Sequence, residues 1–149
     1  PLRIERSRTA RIAANLPDAP WDRQRRYLEL GLSPRLAEAM ATSPFAPAFE
    51  RVTALGRVPM ALAAVVLTER TRNFARLGLR PDRLTPAAIE VAFKAMLDGR
   101  LRPNEVHRAL ATILRCSRGE RIDEADAACV IEMFTVGAPA VRQMWFEEG

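Results

Sequence analysis

The apolar positions of this chain recur mainly at intervals of three and four residues, the spacing that places side chains on one face of an α-helix. Residues 86–98 and 103–116 show this amphipathic spacing most clearly. Residues 59–67 are apolar on all sides, which is typical of a central helix covered by its neighbours. No segment alternates at period two. The pattern therefore predicts an all-α, multi-helix bundle of eight or nine short helices with almost no strand.

Helix ends are marked by short polar signals. Ser33-Pro34, Ser43-Pro44 and Thr85-Pro86 each combine a capping hydroxyl with a proline suited to the first helical turn. Isolated glycines occupy positions where helices should stop, at Gly31, Gly78, Gly99 and Gly119. These signals predict helices near 4–15, 20–30, 34–41, 44–55, 59–77, 86–98, 103–116, 123–135 and 138–147.

Residues 79–85 form the candidate boundary between two lobes. They contain a Pro-Asp turn signal and no helical apolar spacing. The charge balance also changes sign there, from +7 over residues 1–80 to −2 over residues 81–149. We therefore expect a basic lobe over 1–79 and a second helical lobe over 80–149.

The chain is basic because of arginine. Its net charge is +5, and Lys94 is the only lysine among 23 Lys and Arg residues. The guanidinium group matches phosphate geometry and stacks on bases, so the bias suits RNA binding, although a GC-rich genome produces the same bias. A polyanion should prefer the first half of the chain.

The residue types do not suggest a catalyst. His107 is the only histidine and is interpreted as an ordinary helix-surface or core-edge residue. No glycine-rich phosphate loop or zinc-ligand spacing is visible. Asp123, Glu124 and Asp126 are best explained as acids at a helix start, where they meet the helix dipole favourably. We therefore expect no enzymatic activity from this chain alone, and neither a cofactor nor a metal.

The same sequence favours a cytoplasmic protein. Cys116 and Cys129 lie within apolar helical patterns and are interpreted as structural thiols, with a single disulfide left open. The longest apolar run, residues 58–67, is about half as long as a bilayer-spanning helix. No secretory signal is apparent at the start, and no membrane partner is expected.

The candidate RNA-binding residues fall in two segments. Arg23, Arg26 and Tyr27 share one face of a predicted helix that also carries Arg25, so the aromatic ring could stack on a base while the arginines hold phosphates. Arg72 and Arg76, with Arg80 beyond, form a second basic stripe. In the alternative interpretation, Trp21 and Tyr27 are core anchors, the early arginines pair with Asp18, Asp22 and Glu29, and the second stripe is a solvated surface.

The first half of the chain resembles a known family. The matching segments are Asn15-Leu16-Pro17-Asp18-Ala19-Pro20-Trp21, Arg26-Tyr27, Gly31-Leu32-Ser33, Leu36-Ala37 and Ser43-Pro44-Phe45-Ala46-Pro47-Ala48-Phe49-Glu50-Arg51. They look like the helical tail domain of the B and E subunits of tRNA-dependent glutamate amidotransferase, and the last block resembles the archaeal E subunit more closely. The resemblance is best over residues 3 to about 77 and continues loosely through 86–98 and 103–116. After the glycine at position 99 the family usually has a lysine, whereas this chain has Arg100. No contact of that lysine is therefore carried over to this chain.

The resemblance implies a tail domain that docks on the outer corner of glutamine tRNA and leaves catalysis to the rest of the amidotransferase complex. Two other interpretations remain open. One is a helical protein-interaction module that uses Trp145 and Phe146 as anchors. The other is a helix-turn-helix DNA reader, although Phe45, Ala46 and Ala48 offer little to base edges.

Overall fold

The computed structural model describes residues 19–136, and its architecture is all-α. The described residues form seven helices and no strand, apart from one isolated parallel bridge between Leu84 and Ile122. The helices are α1 (Pro20–Glu29), α2 (Pro34–Ala41), α3 (Ala46–Ala54), α4 (Met60–Val65, Val66–Arg70 and Thr71–Arg76), α5 (Pro86–Leu97), α6 (Val106–Cys116) and α7 (Glu124–Val136). Each corresponds to a predicted helix. The predicted helices near 4–15 and 138–147 lie outside the described residues, so seven helices are seen where eight or nine were expected.

Two of the three predicted caps form as expected. The hydroxyls of Ser33 and Thr85 accept hydrogen bonds from the backbone N–H groups of Leu36 and Ala88, at 3.4 and 3.3 Å. The Ser43 hydroxyl instead accepts from the N–H of Phe45 at 3.1 Å, which makes a turn, and α3 begins only at Ala46. This start was predicted two residues too early, because a Ser-Pro pair stabilises a tight turn as readily as a first helical turn.

Helix α4 contains a π-helical turn that the apolar pattern does not reveal. The turn spans Val66–Arg70. Two buried threonine hydroxyls donate to carbonyls near it: Thr68 to Ala64 at 2.6 Å, and Thr71 to Leu67 at 2.8 Å. A π turn is wider than an α turn and shifts the facing of the residues after it. It therefore helps to set which way the arginines of the second half of α4 point.

Helix α5 is central to the packing. It packs against α3, α6 and α7, and its Ile89 and Phe93 side chains have no solvent exposure. The α3 guanidinium of Arg51 reaches Glu90 of α5 at 2.6 Å, and Lys94 contacts the same carboxylate at 2.9 Å. These two cations hold the pKa of Glu90 below its usual range, chiefly through the hydrogen bond from Lys94 and, against the effect of burial, the one from Arg51.

The boundary expected near residues 79–80 does not separate two cores among the described residues. Buried apolar side chains from Tyr27 to Phe134 belong to one cluster. Arg83, in the connection between α4 and α5, donates to the carbonyls of Leu114 at 3.1 Å and Gly119 at 2.8 Å, and also to that of Ser117. This guanidinium satisfies carbonyls at and just beyond the end of α6 and joins the connection to the second half of the chain.

Candidate nucleic-acid interface

Tyr27 is a core residue and not a surface platform. Its side chain is 2% exposed and meets Phe49 edge to face, with 5.0 Å between ring centroids. The hydroxyl donates to Oε1 of Glu50 at 3.0 Å. Burial, followed by this hydrogen bond, raises the pKa of Tyr27 far above its ordinary value. The ring face is not available to a base, so the prediction that Tyr27 stacks on RNA is wrong for this conformation.

The arginines around Tyr27 converge on the same carboxylate. Arg26 Nη2 lies 3.4 Å from Glu50 Oε1, and Arg23 Nε lies 3.9 Å from that oxygen. The Arg23 side chain is only 20% exposed. Arg25 lies farther out and makes a long 3.8 Å pair with Asp22. Sequence reasoning anticipated pairing with Asp22 but not with Glu50, which lies on a different helix.

Trp21 departs from the alternative interpretation. Its side chain is 68% exposed, so it does not anchor the core. Of the two aromatic residues in α1, only Tyr27 is buried. Trp21 was considered as a core anchor because of its size, but it occupies the first turn of α1, where the described helices leave it uncovered.

Arg72 and Arg76, called here the α4 arginine pair, keep the arrangement that the sequence predicts. They are one helical turn apart and exposed, and neither has an ion pair with another described residue. The acid nearest to them along α4, Glu69, is paired with Arg35 of α2 at 3.2 Å. Arg80 does not extend the pair electrostatically, because it bonds to Asp82 at 2.9 Å. The outer face of α4 is therefore positively charged.

A second basic feature lies between the end of α4 and α6. This groove of about 270 Å3, called here the basic groove, has polar walls made by Arg70, Asn73, His107, Arg108 and Arg115. Phe74, Leu77 and Ala111 supply its apolar lining. Among residues 19–136, those that line the groove include no acidic side chain. Sequence reasoning missed it, since its arginines come from segments more than 30 residues apart and each looked like ordinary surface charge.

The pKa of His107 is affected by the positive charges of the basic groove. The imidazole is half-buried, and its pKa is lowered by burial and then by the positive charges of Arg70 and Arg108. His107 was expected to be an ordinary helix-surface or core-edge residue. Its position at the edge of the core fits that expectation, and the structure adds that it shares a groove with cations from two helices.

The remaining candidate groups are structural or solitary. Asp123 Oδ1 accepts from the backbone N–H of Asp126 at 2.8 Å, so this acid caps the start of α7 as predicted. Cys116 and Cys129 are both free, and Cys129 is exposed and does not pack in the core. Within residues 19–136, no cluster of histidine, cysteine or carboxylate side chains is arranged to hold a metal ion.

Exposed apolar side chains are concentrated at the two ends of the described chain. Leu28 and Leu30 on and just after α1 join Trp21 at one end, and Met133 and Val136 on α7 are 59% and 79% exposed at the other. The predicted anchors Trp145 and Phe146, and the predicted partner Asp18, lie outside the described residues. Among the helices of residues 19–136, none has the length and apolar character to cross a membrane.

Comparison with known proteins finds no family model that matches this chain, and no curated protein or solved structure that does.

Proposed function

We propose that this chain is a non-catalytic tRNA-binding domain of the kind that forms the tail of tRNA-dependent amidotransferase subunits. It docks on the outer corner of glutamine tRNA, and the rest of the amidotransferase complex supplies the chemistry. The proposal draws on the resemblance of residues 3–77 to that tail. A cytoplasmic location would suit both its tRNA partner and its free thiols.

The observation that carries the proposal is the α4 arginine pair. Two guanidinium groups one turn apart, exposed and without an acidic partner among the described residues, can each bind a backbone phosphate. They project from a helix that packs into the core through Leu67 and Phe74, so the spacing of their backbone positions is fixed before binding. Rigid positioning of this kind suits recognition of folded RNA by its shape.

The α1 arginines take a secondary place in the interface. Arg25 is the best placed of them, because its pair with Asp22 is long and exposed. Arg23 and Arg26 share Glu50, so part of their charge is already neutralised. Tyr27 contributes to stability and not to RNA contact.

The test is a salt series of fluorescence anisotropy titrations with labelled glutamine tRNA transcript. Arg72→Gln combined with Arg76→Gln should weaken binding and reduce the slope of log affinity against log salt by about 1.4 to 1.8. The matched control, Arg80→Gln with Arg100→Gln, removes the same charge from arginines already paired with aspartates and should change the slope much less. A transcript with an altered D-loop should bind more weakly if the outer corner is read. Absence of binding by the unaltered chain at low salt would overturn the proposal.

A second candidate function is docking to a partner protein, and the exposed Met133 and Val136 favour it. In the sequence they precede Trp145 and Phe146, which were expected to act as anchors. Light scattering after size-exclusion chromatography tests self-association: a dimer that becomes a monomer on Trp145→Ala favours this function. A monomer that binds tRNA favours the first.

A further inference from the structure

We propose that the basic groove is a phosphate-binding site, formed by Arg70 and Asn73 of α4 with His107, Arg108 and Arg115 of α6. That the phosphate belongs to an RNA backbone rests on the proposed function. The site lies apart from all the residues that the sequence identified as RNA contacts. It adds α6, from the more acidic half of the chain, to the interface.

Positive charge is concentrated in the basic groove. Three guanidinium groups line one groove together with an imidazole, and none of the described residues that line it is acidic. Two of these charges act on the imidazole, because Arg70 and Arg108 add to the effect of burial in lowering the pKa of His107. Arg70 has no ion pair with another described residue. A phosphate bound among these groups would meet positive charge from two helices.

The donor set favours phosphate among anions. Guanidinium groups present paired N–H donors in a fixed plane, a geometry that matches two oxygens of a phosphate. The Asn73 amide adds neutral donors, and a protonated His107 would add another. Phe74, Leu77 and Ala111 form an apolar wall beside these donors. The groove volume of about 270 Å3 is large enough for a phosphate group with its flanking sugar atoms.

The geometry also explains how one helix serves two surfaces. The π turn ends at Arg70, and the residues that follow it diverge: Asn73 and Leu77 line the groove, whereas Arg72 lines a different depression beside α2. A strand of RNA that crosses the second half of α4 would therefore meet the α4 arginine pair and the basic groove in succession.

His107 makes the test direct, because it is the only histidine in the chain and its imidazole signals need no assignment. The proton NMR signal of its ring is followed in the full chain during titration, first with inorganic phosphate and then with glutamine tRNA transcript. Binding in the groove should shift this signal and raise the apparent pKa of His107. Arg70→Gln with Arg115→Gln should abolish the shift and weaken transcript binding roughly tenfold. Arg100→Gln, which removes an exposed arginine elsewhere, should preserve the shift.

The outcomes separate this proposal from the proposed function. If the transcript binds but leaves the His107 signal unmoved, and the groove variants bind it as tightly as the unaltered chain, the basic groove is not a site and the tRNA-binding proposal stands. If no transcript binds while inorganic phosphate shifts the signal, the groove is a phosphate site for another ligand and the proposed function fails. If neither ligand shifts the signal, the groove proposal is overturned. Thermal unfolding of each variant confirms that it is folded.

Discussion

The hydroxyl of Tyr27 in α1 donates to Glu50 of α3 at 3.0 Å, and the oxygen that accepts this bond is also the one approached by Arg23 and Arg26. One carboxylate therefore organises three of the residues that the sequence assigned to RNA binding. The edge-to-face contact with Phe49 holds the Tyr27 ring in place. This arrangement separates the contribution of α1 to stability from its contribution to charge, and the two can be tested independently.

Replacing Tyr27 by leucine should destabilise the chain without changing RNA affinity. The substitution removes the hydrogen bond to Glu50 and the aromatic contact, so the free energy of unfolding should fall by about 2 to 4 kcal/mol. A base-stacking residue would instead lose roughly 1 to 3 kcal/mol of binding free energy. Urea denaturation and tRNA titration of the folded variant measure the two effects. A large loss of affinity in a folded Tyr27→Leu protein would restore Tyr27 as an RNA contact.

Neutralising Glu50 should increase the affinity of the chain for tRNA. Glu50→Gln keeps an acceptor for the Tyr27 hydroxyl and removes the negative charge near Arg23 and Arg26. We expect a two- to fivefold higher tRNA affinity at low salt and a steeper salt dependence, because more arginine charge becomes available to phosphates. Glu38→Gln on α2 is the matched control, since it removes one negative charge from an exposed carboxylate that has no ion pair with a described residue. Equal gains from both variants would indicate a general effect of net charge.

Arg83 provides a prediction about the packing of the two halves of the chain. Its guanidinium donates to carbonyls of Leu114, Ser117 and Gly119, and lysine can reach only part of this set. Arg83→Lys should therefore lower the free energy of unfolding by about 1 to 2 kcal/mol in urea denaturation. Arg80→Lys, three residues earlier and exposed in its pair with Asp82, should leave it nearly unchanged. Similar losses for both would show that the carbonyls are satisfied equally well by water.

Local signals were sufficient to predict the helices but not the charge surface. Ser33-Pro34 and Thr85-Pro86 mark helix starts because the capping hydroxyl and the backbone N–H that donates to it lie only three residues apart. Glu50, which accepts the hydrogen bond from Tyr27, lies 23 residues away in the sequence. Only the packing of α1 on α3 brings the two side chains into contact. The number of arginines in α1 therefore overestimated the positive charge that α1 presents to RNA. The basic groove could not be predicted in this way, because Arg70 and His107 are brought together only by the packing of α4 on α6. Arg70 also ends a π turn that no sequence pattern indicates.

The affinity of the chain for tRNA should depend on pH, because the pKa of His107 is lowered in the free protein. Burial, Arg70 and Arg108 favour the neutral imidazole in the free protein, so His107 is uncharged at pH 7.5. An RNA phosphate in the basic groove would favour the imidazolium form, and the pKa of His107 in the complex would lie above that in the free chain. Affinity for the transcript should accordingly rise as the pH falls from 7.5 towards 5.5, by roughly three- to tenfold, and level off once the free protein is also protonated.

His107→Gln supplies the control for this pH dependence. It should bind the transcript about as well as the unaltered chain at pH 7.5 and show little of the gain at pH 5.5. Stability changes in the opposite direction: a folded pKa below the unfolded one means that protonation favours unfolding, so the unaltered chain loses stability as the pH falls below the unfolded value. A merely structural His107 would show only this loss. Tighter binding at low pH together with lower stability, both absent from His107→Gln, is therefore the combination that a phosphate next to the imidazole requires.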